Sequence, residues 1–135
     1  MGQIKHILLA TDLTNRSERA LQRATQLCRD GRAERFTLLH VVAVGLPSIL
    51  TGQQLTGAEA FLAGKLAELA SLGVKTLART IVRTGDPFST IIGEGIAVNA
   101  DLIVIGRTTS DRPHFGTNAR GIVGLAPCAV VIVKS

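Results

Sequence analysis

The sequence predicts a single α/β domain in which helices cover both faces of a parallel sheet, and three observations carry that reading. Short apolar runs bounded by turn residues alternate with longer stretches whose apolar residues recur at helical spacing, in the order β-α-β-α-β-α-β-α-β. The chain has 135 residues, 46% apolar and 19% charged. That composition is globular, and at this length one domain over 1–135 buries roughly two thirds of its unfolded surface. Finally, Asp12, Val41 and Gly106 fall at the carboxyl ends of predicted strands. Open parallel sheets bind ligands there, where the winding direction reverses.

Each element has its own justification. Residues 4–11, IKHILLAT, suit a buried strand ending at Asp12. Asn15-Arg16-Ser17-Glu18 has the pattern of a capping box, with Glu18 reaching back to the helix start. Ala20, Leu21, Ala24, Leu27 and Cys28 then recur at helical spacing, and Gly31 is a C′ stop. Phe36–Val42 is a second strand, joined to the first by a right-handed crossover. Gly45-Leu46-Pro47 breaks the chain before a stripe of Leu55, Ala58, Leu62, Leu66 and Leu69 that Gly73 stops. Val74–Val82 is a third strand, which Lys75 and Arg79 interrupt as on a sheet edge with one wet face. Asp86-Pro87 reads as N-cap and N1 of a helix whose Phe88, Ile91, Ile92 and Gly95 face the sheet. Asp101 precedes the fourth strand, Leu102–Ile105, which Gly106 closes. A polar loop follows, then Gly116-Thr117-Asn118 opens a short helix before a last apolar run, Ala129–Val133.

Several function classes are excluded. No apolar run approaches the ~20 residues of a membrane span, and the amino-terminal run is too short, with Asp12 too close, for a signal peptide. His6 stands where a myristoylation signal needs Ser or Thr. Cys28 and Cys128 read as small buried hydrophobes of a reducing compartment, with no further ligands at metal-site spacing. A cytoplasmic protein is the expectation. The net charge is +5, yet the six arginines from Arg16 to Arg35 are interleaved with Glu18, Asp30 and Glu34. With no Trp or Tyr and four Phe, base stacking has little to work with, so neither nucleic acid nor membrane is expected as a partner. His6 and His40 lie in strands and read as packed residues, leaving His114 as the histidine placed for chemistry. No nucleophile elbow, Walker lysine or His-Glu-x-x-His motif occurs, and Asp12 is a carboxylate without a visible catalytic partner. No catalytic residue and no metal ligand is assigned.

The ordered set of segments resembles the universal stress proteins over almost the whole chain. KHILLATDLTNRSERAL is similar to the opening strand, Asp and first helix of that family. LLHVV is similar to its second strand, GDPFSTII and ADLIVIG to its third helix and fourth strand, and GTNARGIVGLAPCAVVIV to its closing stretch. The resemblance implies a five-stranded sheet of order 3-2-1-4-5, the adenine-nucleotide alpha-hydrolase-like fold, and a stress-related cytoplasmic role, usually as a dimer. Some members bind ATP, and these carry Gly, two residues, Gly, nine residues, then Gly-Ser or Gly-Thr.

Here Gly106 matches the first glycine and Gly116-Thr117 the last pair. Thr109 stands at the second glycine, and nine residues separate Gly106 from Gly116 where the ATP binders have twelve. A glycine there permits positive φ and close approach of backbone to phosphate oxygens. Three fewer residues also remove up to ~10 Å of reach. Asp12 matches the family position on the adenine side, and Val41 matches a backbone contact to the base. Arg107, Arg112, His114 and Arg120 surround the Gly116-Thr117-Asn118 helix start with positive charge. Asp12, Val41, Gly106, Arg107, Gly116, Thr117 and Asn118 are therefore the candidate nucleotide or anion site, set against a reading in which Asp12 and Thr117 are simple caps.

The expected function is a non-enzymatic, dimeric regulatory or interaction module without a cofactor. It pairs through Ala129–Val133 and serves a protein partner that the sequence does not name. The alternatives are a switch that binds ATP or another adenine nucleotide, and a slow ATPase.

Overall fold

A computed structural model describes residues 4–11, 18–31, 33–42, 48–71, 77–107 and 126–134. In chain order the elements are β1 (His6–Ala10), α1 (Glu18–Gly31), β2 (Arg35–Val42), α2 (Ser48–Ser71), β3 (Leu77–Thr84), α3 (Pro87–Ala97), β4 (Leu102–Arg107) and β5 (Ala129–Lys134). The five strands form one sheet of order β3-β2-β1-β4-β5, and every neighbouring pair is parallel. This is the order that the resemblance implies. The predicted helix after Gly116 lies outside the described residues, as do the Asn15 cap, the Gly45–Pro47 break and the Gly73 stop.

The central strand explains the layering. All five residues of β1 are buried, because its alternate side chains enter two different cores. Ile7 and Leu9 join Phe36, Leu38, Leu102 and Val104 beneath α1 and α2, which contribute Ala24, Cys28, Leu62 and Leu69. Leu8 and Ala10 join Leu39, Ile103 and Ile105 on the opposite face beneath Ile91 of α3. Cys28 is buried in the first cluster and Cys128 is packed against the second. Both remain thiols, separated by the sheet. Burial, and then the charge of Asp101, push the Cys128 thiol up from its ordinary pKa. No described helix is long and apolar enough to cross a membrane.

Some boundaries differ from expectation. β3 runs to Thr84, two residues beyond the predicted Val82, since β2 offers a pairing partner as far as Val42; the predicted start at Val74 lies outside the described residues. Gly106 lies inside β4, paired with Val133, and Arg107 is the last residue of the strand. Glu18 turns its carboxylate to Lys65 of α2, so it ties the two helices together.

The start of α3 is as predicted. Asp86 is the N-cap, with Pro87 directly inside the helix. Its carboxylate accepts from the Ser89 N–H at 2.9 Å and from the Ser89 hydroxyl at 3.0 Å. Asp86→Ala should cost about 1 kcal/mol and lower the melting temperature by roughly 3–5 °C. Asp86→Asn should stay near wild type, and thermal melts followed by circular dichroism compare the two.

Gly95 is where α3 comes closest to the sheet. A Cβ there would lie 3.0 Å from Ile103 Cδ1 and 3.8 Å from Leu8 Cδ2. Gly95→Ala adds a methyl that the end of the Ile103 side chain can accommodate, and helix propensity returns up to about 1 kcal/mol. Gly95→Val has no such room and should destabilise by about 1–3 kcal/mol through overpacking. Urea denaturation of the two variants should show near-neutral alanine and costly valine.

Candidate functional site

The strand register builds a crevice at the carboxyl end of the sheet. β1 stops at Ala10, paired with Leu39 of β2 and Ile105 of β4. Both neighbours run on. β2 continues through His40, Val41 and Val42 alongside β3, and β4 continues through Gly106 and Arg107 alongside β5. The chain winds away from β1 in both directions, so this recess is the switch point of the fold.

Hydrogen bonds hold its floor. The Thr11 N–H donates to the Leu39 carbonyl at 2.9 Å. The Thr11 carbonyl accepts from Nδ1 of His40 at 2.8 Å, which fixes that ring as the Nδ1–H tautomer. Leu39 thus points its carbonyl toward β1, and main-chain polar groups alternate sides along a strand. Val41, two residues on, therefore directs its N–H and C=O to the β1 side, beyond the end of β1. Its half-buried side chain packs under the α3 face. The Val42 carbonyl turns the other way and accepts from the Gly85 N–H at 3.0 Å. On the α2 side a depression of about 10 Å³ remains, lined by residues that include Leu9, Thr11 and Leu38. Lys65 closes it by pairing with Glu18, and its ammonium lies 5.3 Å from the Phe61 ring centroid. The Glu18 carboxylate raises the Lys65 pKa further.

Of the residues singled out in the sequence, Val41, Gly106 and Arg107 flank this recess. Asp12, Gly116, Thr117 and Asn118 lie outside the described residues, with Thr109, Arg112, His114 and Arg120. His40 and Thr11 were not predicted as part of the site. A histidine two residues before the end of a strand carries no local signal of its bond to the residue that follows a neighbouring strand. No group of three or more metal-ligating side chains occurs among the described residues.

Comparison with solved structures supports the architecture. UspA from Lactobacillus plantarum matches with a TM-score of 0.86 and 23% identity, over 98% of this chain and 99% of that one. A universal stress protein in complex with cAMP matches at 0.74 and 20%, over 98% of both chains. The universal stress protein from Archaeoglobus fulgidus in complex with dAMP matches at 0.72 and 20%, over 98% of this chain and 100% of that one. Identities this low speak for the fold alone. No curated protein matches the chain. The profile of the universal stress protein family spans residues 3–134, nearly the full length, and with the 3-2-1-4-5 sheet it shows that the chain belongs to the universal stress protein family.

Proposed function

We propose that the chain is a non-enzymatic, homodimeric regulatory module of the stress response whose nucleotide crevice has lost its triphosphate end. The observation that carries this reading is the span from Gly106 to Gly116, nine residues with Thr109 among them. The family's ATP binders have twelve there and a second glycine. The main chain of Val41 turns to the recess at the end of β1, which supports a reading in which the adenosine end of the site is kept. Its two thiols, kept on opposite sides of the sheet, suit a reducing cytoplasm.

The second reading, a nucleotide-dependent switch, has its own support. Two structural relatives were crystallised with cAMP and dAMP, each of which carries a single phosphate. A crevice of this fold that holds an adenosine monophosphate does not need the full triphosphate loop. Purification from cells followed by heat release and chromatography of bound nucleotide separates the readings. An empty protein supports the first, a monophosphate carried through supports the second, and stoichiometric ATP overturns the first.

A further inference from the structure

The opposite end of the sheet holds a cavity of about 400 Å³, within the size range of small-molecule sites. Strand register assembles it. His6 pairs with Arg35 across β1 and β2, and Thr37 pairs with Arg79 across β2 and β3. Register partners share a face, so all four side chains stand on the α3 side at the amino end of the sheet. Val98 and Asn99, at the end of α3, complete the wall.

Its charge is one-sided. Arg35 and Arg79 are both exposed, and neither guanidinium is in an ion pair among the described residues. Asp101 is the nearby carboxylate, and it is engaged. It accepts from the main-chain N–H groups of Lys5 and His6, at 2.9 Å each. The end of α3 is capped as well. The N–H groups of Val98, Asn99 and Ala100 return to Glu94, Ile96 and Gly95, with Asn99 at φ 54° making the left-handed turn. Three of the last carbonyls of that helix are therefore satisfied, and two full guanidinium charges outweigh the partial negative charge that remains.

We propose that this cavity binds the oxyanion group, phosphate or carboxylate, of a small molecule between Arg35 and Arg79. A guanidinium pair of this kind grips an oxyanion through charge-assisted, fork-like hydrogen bonds. The site is separate from the crevice at the carboxyl ends and does not depend on it.

His6 makes the site sensitive to pH. It is only 6% exposed, and its Nε2 lies 2.7 Å from the Thr37 hydroxyl oxygen. Burial holds the imidazole below its ordinary pKa. Arg79 and Arg35 press the same way, while the Val98 carbonyl and Asp101 oppose. In neutral His6 with its proton on Nδ1, Nε2 accepts the Thr37 O–H. A proton taken from solvent onto Nε2 reverses that bond and releases the Thr37 hydroxyl hydrogen to donate elsewhere. A bound anion favours the protonated ring, so affinity should rise as pH falls below the ordinary histidine range.

The test is titration of the ¹⁵N-labelled chain with inorganic phosphate, and separately with malonate, at constant ionic strength. We expect saturable amide shifts at Thr37, Arg79, Val98 and Asn99, and a rise in the His6 titration midpoint. Tighter phosphate assigns a phosphate ligand and tighter malonate a carboxylate. Arg35→Ala with Arg79→Ala should weaken binding at least tenfold with an unchanged melting temperature, and Arg79→Gln alone is the milder second variant. The absence of a saturable shift up to 50 mM, equal affinity in wild type and both variants, or shifts confined to residues 106–125 would overturn the proposal.

Discussion

Calorimetry with ATP and Mg²⁺ should return no dissociation constant below ~10 μM, a threshold of about 7 kcal/mol, while AMP binds at least as well as ATP. Most of the affinity of a triphosphate site comes from charge-assisted contacts to phosphate oxygens, at ~1.5–3 kcal/mol each. Losing two or three of them is enough to carry a micromolar site into the millimolar range. The missing loop length and Thr109 remove contacts of this type, since Thr reaches positive φ only at a cost. AMP makes fewer of these contacts and therefore loses less. Under the proposed function its base and ribose would meet the recess between Val41 of β2 and Gly106 of β4, beside the short β1. Thr109→Gly, combined with three residues inserted after it, should improve ATP affinity tenfold or more. A wild-type constant below ~10 μM for ATP would overturn the proposal that the triphosphate end is lost, and would mean that Arg107 or Arg112 substitutes for the loop.

Local signals and long-range ones were not equally legible in the sequence. The strand HILLA of β1 and the Asp86-Pro87 start of α3 could be read directly, because a buried run and a cap are written in adjacent residues. The faces were legible too. Cys28, Leu62 and Ile91 are buried as their spacing predicts. Partners distant in sequence were not. The capping box of Glu18 starts outside the described residues, and within them its partner is Lys65, which no spacing rule connects to it. The cavity at the amino end was invisible for the same reason. His6, Arg35, Thr37 and Arg79 come from three strands and meet through strand register, and Asn99 joins them from the turn after α3. His6 was read as packed, and it is, yet its bond to Thr37 and its place in a cavity wall needed the sheet. At the carboxyl end, the proposed role of Val41 rests on family resemblance, and register places its main chain beside the end of β1.

The chain should sediment as a dimer at ~100 μM, where even a weak ~10 μM dimer would be visible. β5 is an edge of the sheet, paired with β4 alone. Its sequence, AVVIVK, is five apolar residues closed by one lysine. Such an edge exposes a row of main-chain donors and acceptors with little to blunt them, so covering it is favourable. A second copy of the same strand covers it with two-fold symmetry, since an isologous contact pairs each residue set with itself. β3, the other edge, is a poorer candidate, because Arg79 and Arg83 interrupt it and both are exposed. Val131→Lys should abolish the dimer, but Val131 also packs against the α1–α2 core, so loss of the fold would give a similar result. Ala129→Lys avoids that difficulty. Ala129 is exposed, and in a two-fold pairing centred on Val131 it faces Val133 of the copy, so a lysine there sets a charge against an apolar edge residue without touching the core. Ala129→Lys should sediment as a monomer at ~100 μM with a wild-type melting transition measured under dilute, monomeric conditions. A wild-type chain that is monomeric at that concentration, or an Ala129→Lys variant as dimeric as wild type, would show that β5 is not the interface.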